Sequence, residues 1–191
     1  RVRAIDLGRT YRVAVEKDDV TTREGVADEA ETLSETLPDN LILRNILIDN
    51  YTRSRDFDAA LEQLDRLIAG DPDNRDYHNQ RLTILAQSGD EAALEASLRD
   101  MVERFDEDSS VKATLVRYYL SRDRLDEAEA FMREISDPGA EDPAPYVALV
   151  RFLASERGLD AAREAIDRAV EESPNPDLFR ALRAGFDFDA G

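Results

Sequence analysis

Forty-three carboxylates and a single imidazole, with no cysteine, are the acid–base inventory of this 191-residue chain. General acid–base catalysis needs two such groups held at matched geometry and different pKa values. With Asp and Glu this dense, close carboxylate pairs arise on helices from composition alone and carry no catalytic signal. The one histidine, His78, has no nucleophile elbow, zinc signature or Gly-rich phosphate cradle to work with. Asp71, Asp73 and Asp76 resemble half of a calcium loop, but Asp76 stands where that loop needs glycine and Leu82 where it needs a bidentate glutamate. These aspartates read as turn and cap residues. No catalytic residue, metal site or cofactor is expected, and no disulfide can form.

The charge balance narrows the choice of partner. A formal charge of −18 repels phosphate backbones and anionic lipid surfaces, so nucleic acid is not expected as a partner. No apolar run reaches the ~18 residues that span a bilayer, so direct membrane insertion is not expected either. Of the 25 basic residues only Lys17 and Lys112 are lysine, leaving 23 arginines. Arginine's rigid fork suits ion pairing on a carboxylate-rich surface, although codon bias in a GC-rich genome yields the same composition. The chain opens on Arg1 without methionine or an apolar signal core. It reads as a segment of a longer protein, with localisation open between cytoplasm and periplasm.

The elements that position these residues follow from a repeat. Pro38 and Pro72, in Leu37-Pro-Asp-Asn40 and Asp71-Pro-Asp-Asn74, are 34 residues apart, and Pro174 falls three further periods on. Frames starting at Leu7, Leu41, Arg75, Ser109 and Pro143 divide the chain into 7–40, 41–74, 75–108, 109–142 and 143–176, with a terminal helix over 177–186. Position 20 of the frame is then Val26, Ala60, Leu94, Ala128 and Ala162. Position 24 is Ala30, Leu64, Leu98, Met132 and Ile166, and position 27 is Leu33, Leu67, Met101, Ile135 and Ala169. All are apolar in a chain that is 42% apolar.

Within a frame the spacing is helical twice over: Leu43, Ile46, Leu47 and Tyr51, then Ala60, Leu64, Leu67 and Ile68. Asp56 and Asp90 are placed to cap second helices, and Gly89 to take a positive φ at a helix stop. Asp142 before Pro143 and Asn175 before Pro176 mark two further helix starts. Thr10 and Lys17 occupy apolar sites of the first frame, so its first helix is free to start elsewhere. Ser136-Asp-Pro-Gly139 points to a lengthened turn.

Over roughly 7–185 this pattern resembles tetratricopeptide repeat (TPR) proteins. The blocks Asp56-Phe-Asp-Ala-Ala60 and Leu125-Asp-Glu-Ala128 resemble the start of that family's second helix. Tyr51 and Tyr119 match its aromatic at position 11, and Tyr146 its aromatic at position 4. Sel1-like and HEAT-type arrays differ in period. Position 8, small in the family, is Ile48, Leu82, Val116 and Val150 here, which implies looser or tilted helix pairs. The resemblance implies an all-α fold, an α-solenoid wound as a right-handed superhelix, with about five repeats forming a single domain over 1–191 and a C-terminal helix. That helix, with Leu178, Phe179 and Leu182 on one face and Phe186 and Phe188 beyond, reads as the edge of a continuing array.

The resemblance also implies a function: a non-enzymatic module binding a protein or peptide segment in the groove lined by first helices. Groove positions carried over onto this chain include Ile42, Asn45, Ile46, Asp49 and Arg53, then Asn79, Gln80, Thr83 and Gln87. Thr114, Arg117 and Leu120 follow, then Val147, Arg151 and Ser155. The amides and Thr83 offer hydrogen bonds to an extended backbone, while Arg117 and Arg151, one repeat apart, can fork onto carboxylates of a partner or pair with acids of their own surface. The family's chaperone-tail clamp is not implied, since positions 5 and 9 are Asn45 and Asp49. The alternative is a structural spacer or self-assembling scaffold, a homo-oligomer joined through exposed terminal repeat faces. Loosely similar acidic, arginine-rich arrays occur in long bacterial envelope proteins. His78, at position 4, is read as packing against a neighbouring helix.

Overall fold

Short polar caps cut the chain into helices where the 34-residue spacing places them. The structure is a computed structural model that describes residues 2–189, with side chains described through 186. Its helices are α1 (Val2–Glu16), α2 (Val20–Ser34), α3 (Leu41–Ser54), α4 (Phe57–Gly70), α5 (Arg75–Ser88), α6 (Glu91–Arg104), α7 (Ser109–Leu120), α8 (Leu125–Glu134), α9 (Ala144–Glu156), α10 (Leu159–Glu172) and α11 (Pro176–Asp189). No strand occurs among the described residues, and no helix there is long and apolar enough to cross a membrane. The chain is an all-α, TPR-like repeat of helical hairpins.

Each cap satisfies backbone N–H groups that a helix start leaves unpaired. Asn40 Oδ1 accepts from the N–H groups of Ile42 and Leu43 at 3.1 and 3.2 Å, and Asp56 Oδ1 from Ala59 at 3.3 Å. Asp90 Oδ1 accepts from Ala93 at 2.9 Å, directly after Gly89 closes α5 with φ +79°. Asp142 Oδ1 accepts from Ala144 at 2.9 Å at the start of α9. At Asn175 the turn is held instead by its own N–H, which donates to Ser173 Oγ at 3.1 Å ahead of Pro176. Second helices α4, α6, α8 and α10 begin at 57, 91, 125 and 159, a constant step, with a side-chain cap on α4 and α6 but no side-chain cap hydrogen bond on α8 or α10.

Two places depart from that step. The first hairpin runs earlier than its frame, with α1 beginning at Val2 and α2 at Val20. Its register is set by the turn Lys17–Asp19, where Asp18 takes φ +53° and Asp19 accepts from Thr22 N–H at 3.0 Å. Ala4, Leu7, Tyr11 and Ala14 then form the buried stripe of α1, and Thr10 and Lys17 turn outward. The second departure is the expected long turn: α8 stops at Glu134, and 135–143 lead to α9, with Asp137 Oδ1 accepting from Gly139 N–H at 2.8 Å.

The helices group into two compact units, Arg1–Asp106 and Glu107–Gly191. In the first, α1 through α6 pack in chain order, each on the next, and α1 also meets α3. One core holds Ala4, Leu7, Tyr11, Val26, Ala27, Ala30, Leu43, Ile46 and Leu47, and a second holds Ile48, Ala60, Leu64, Leu67 and Ile84. The bulky position 8 is accommodated here, because Ile48 is fully buried in the same cluster as the small Ala60. In the second unit α7 to α11 again pack in order. Tyr146 donates its hydroxyl to the Ala165 carbonyl at 3.0 Å and meets Phe179 edge-on, with ring centroids 5.8 Å apart. Phe179 is thus sealed, while Leu178 stays exposed and Leu182 and Phe186 are half-buried. The Phe188 side chain lies outside the described residues.

Of the frame's core positions, all are buried except Leu33 and Ile135, which are half-buried. Ile135 has left the helix, since it is the residue that ends α8 ahead of the long turn. Leu64→Ala should therefore cost about 2–5 kcal/mol, in the range of buried leucine truncations, whereas Ile135→Ala should cost under about 2 kcal/mol because less apolar surface is lost from the core. Arg53→Ala, which removes an exposed i,i+4 pair, should cost about 0.5 kcal/mol or less. Denaturant unfolding of the three variants measures this ranking.

Candidate functional site

One face of α3 carries Ile42, Asn45, Ile46, Asp49 and Arg53, spaced by three and four residues so that they form one stripe. The stripe stands opposite Gly8, Tyr11, Arg12, Val15 and Glu16 of α1, and the two helices enclose a groove of about 370 Å³. Gly8 allows the close approach: a Cβ there would lie 2.8 Å from Ile42 Cγ2. Val15, Ile42 and Ile46 are its apolar lining, Asn45 contributes an exposed amide, and Arg12, Glu16 and Arg53 supply charge.

Asp49 organises the polar end. Its Oδ2 accepts from the Tyr11 hydroxyl at 3.0 Å and from Arg53 Nε at 2.7 Å. Burial of the Tyr11 ring, followed by the Asp49 charge and its hydrogen bond, pushes that phenol far above its ordinary pKa. The proton therefore stays on Tyr11 at any ordinary pH, and the hydroxyl remains a donor to Asp49. Arg53 is raised in turn, by the hydrogen bond to Asp49 and then by its charge. Such a surface can hold a peptide backbone by hydrogen bonds and seat an aliphatic side chain, but it holds no nucleophile with an activating base.

The remaining groove candidates are distributed over other helices. On α5, Thr83 Oγ1 donates to the Asn79 carbonyl at 2.9 Å, Asn79 is exposed and Gln80 half-buried. On α7, Thr114 Oγ1 donates to the Ser110 carbonyl at 2.8 Å and receives Arg117 Nη2 at 3.0 Å. Arg151 is exposed on α9. Arg117 and Arg151 share no partner and make no ion pair among the described residues. The structure thus joins Asn45, Asp49 and Arg53 in one groove, whose lining does not include the α5, α7 and α9 positions. His78 is a packing residue: it is buried, its Nε2 lies 2.7 Å from the Pro72 carbonyl, and its ring meets Phe105 edge-on at 5.4 Å.

Gly8, Tyr11, Arg12 and Val15 were missed as groove residues, although they stand at positions 2, 5, 6 and 9 of the frame that starts at Leu7, the positions that Ile42, Asn45, Ile46 and Asp49 hold in the next frame. The signal that could have found them is the 34-residue offset itself, which carries Ile42, Asn45, Ile46 and Asp49 back onto Gly8, Tyr11, Arg12 and Val15.

No protein-family model matches the sequence, and no curated protein matches it. Solved structures similar to the chain include MamA AMB-1, at 15% identity and TM-score 0.49 over 89% of this chain and 91% of that one. A thermophilic TPR protein of Thermus thermophilus, TTC0263, aligns at 16% identity and TM-score 0.41 over 94% and 97%. A tetratricopeptide repeat protein from Parabacteroides merdae ATCC 43184 aligns at 12% identity and TM-score 0.44 over 93% and 68%.

The close approach at Gly8 makes a testable contrast with Gly25, whose Cβ would meet nothing within 4 Å. Gly25→Ala should stabilise by about 0.5–1 kcal/mol, the helix-interior gain of alanine over glycine. Gly8→Ala should be net destabilising, because forcing apart the stiff, β-branched Ile42 costs about 1–3 kcal/mol. Thermal melts of both variants measure the difference in sign.

Proposed function

We propose that this chain is a non-enzymatic protein-interaction module that takes an extended segment of a partner protein along its first helices, beginning at the α1–α3 groove. The observation that carries this reading is the composition of that groove: an apolar lining of Val15, Ile42 and Ile46 beside the Asn45 amide and the Tyr11–Asp49–Arg53 group. An aliphatic side chain of the partner would be seated on the lining while Asn45 bonds its backbone, the division between apolar anchor and orienting polar group that small concave sites use. Asn79, Gln80 and Thr83 on α5 of the same unit would extend the contact, and in the second unit Thr114, Arg117 and Arg151 would independently receive acidic groups of a partner. The 34-residue step from α4 to α6, and again from α8 to α10, supports reading each unit as a repeat of hairpins.

The test is a groove-filling variant. Asn45→Trp adds an indole at an exposed position and should leave the melting temperature unchanged. Peptides selected from a displayed random library on the wild-type chain should lose at least about tenfold in affinity for Asn45→Trp, given that a well-placed anchor contributes on the order of 1–2 kcal/mol. Retention of full affinity by all selected peptides would remove this groove from the reading.

A second reading, a self-assembling scaffold, is favoured by Val2, Ile5, Val13 and Val20 of the first hairpin, which are 75%, 51%, 41% and 44% exposed. Hydrodynamic mass decides it. A mass above that of one chain, restored to monomer by Val2→Glu/Ile5→Glu, supports assembly, and a monomeric wild type at high concentration rejects it.

A further inference from the structure

A larger cavity, of about 640 Å³, lies elsewhere in the first unit and shares no residue with the α1–α3 groove. It is lined by Ile68 of α4, Asp73, His78 and Arg81 of α5 and the turn before it, and Ser97, Asp100, Glu103 and Arg104 of α6. Ser97, Asp100 and Glu103 follow one another at three-residue spacing, so they project from one side of α6.

Two observations single this cavity out. The first concerns charge. Both guanidiniums on its wall already have carboxylate partners, Arg81 with Asp65 and Arg104 with Asp73, the latter at 3.3 Å. Asp100 and Glu103 are exposed and in no ion pair among the described residues, so the cavity keeps an excess of negative charge. The second concerns Ser97. The residue is only 5% exposed and lines the cavity, and its hydroxyl has no hydrogen-bond partner among the described residues. No fully enclosed side-chain polar atom there lacks a partner, so the Ser97 hydroxyl keeps its small accessible area toward the cavity. A hydroxyl so placed is open to a ligand that enters, and it gains a bond the protein does not supply. No group of three or more His, Cys, Asp or Glu side chains among the described residues converges to hold a metal ion.

We infer that this cavity is a second binding site, which receives a lysine or arginine side chain from a basic segment of another protein. The cationic head meets Asp100 and Glu103 and donates to Ser97 Oγ, and its methylene stem lies along Ile68. The chain's charge of −18 draws such a segment in and the cavity fixes its place.

Isothermal titration of the full chain with an acetylated, amidated octapeptide of alternating glycine and lysine tests this. Asp100→Asn/Glu103→Gln should lower affinity at least about tenfold, while Glu24→Gln/Asp28→Asn, the same charge change on α2, should lower it less than about twofold. Ser97→Ala should lower it about threefold, the effect of one lost hydrogen bond. Amide resonances of residues 97–104 should shift when the peptide is added to the unmutated protein. Equal losses in the two charge-neutralised doubles would overturn the inference, since the global field alone would then explain binding. So would an unchanged Ser97→Ala, or the absence of shifts over 97–104. Spermine binding as tightly as the peptide, with the same dependence on Asp100 and Glu103, would make this a polyamine site and overturn the assignment to a protein segment.

Discussion

A two-helix hairpin has more apolar surface than it can cover by folding on itself, and the structure follows from the way the next hairpin covers the rest. In the first unit Ile48 of α3, Leu64 and Leu67 of α4 and Ile84 of α5 belong to one buried cluster, so two successive hairpins contribute to one core. Local stacking of this kind makes stability a sum of hairpin terms and neighbour terms rather than the property of one central core. It also explains why the period is strict where hairpins stack. Changing the length between α4 and α6 by one residue would rotate the apolar face of α6 by about 100°, off its neighbour.

Charge is arranged around that core without supporting much of it. Many ion pairs are exposed and within one helix, such as Arg66 with Glu62 and Arg168 with Glu172, and exposed pairs of this kind contribute about 0–1 kcal/mol each. Others tie neighbouring helices: Arg3 of α1 grips Glu29 of α2 through Nε and Nη2, and Arg157 at the end of α9 reaches Asp126 and Glu129 of α8. Glu129 is raised by partial burial but more than offset by Arg133 and Arg157, which hold it below the usual carboxylate range. The forked guanidinium accounts for arginine at these bridging positions, since two of these contacts use two nitrogens at once.

Most of the architecture was legible in the sequence because the signals were local and repeated. Asp56, Asp90, Gly89 and the Ser136–Gly139 turn act within a few residues of themselves, and the starts of α4 and α6 and the late start of α9 follow, while α8 and α10 keep the 34-residue step without a side-chain cap. The first hairpin was less legible: Asp18 takes a left-handed conformation that its residue type does not demand, and α1 and α2 begin earlier than the frame places them, although Val26 and Ala30 keep their core positions. The α1 half of the groove was legible in principle, since Gly8, Tyr11, Arg12 and Val15 hold the frame positions that Ile42, Asn45, Ile46 and Asp49 hold on α3. Asn45, Asp49 and Arg53 follow from spacing along α3, but Tyr11 joins them only through a tertiary contact. The cavity beside Ser97 was not legible at all, since it depends on α4, α5 and α6 together, and nothing about a serine within a helix announces that it lacks a partner.

Hydrogen exchange resolved by mass spectrometry, on wild type and on Leu64→Ala, tests the neighbour-by-neighbour account most directly. Protection should fall together in α3, α4 and α5, which share the core around Leu64, and remain at wild-type levels in α9 and α10. A uniform fall from α1 to α11, or a loss confined to α4, would contradict it.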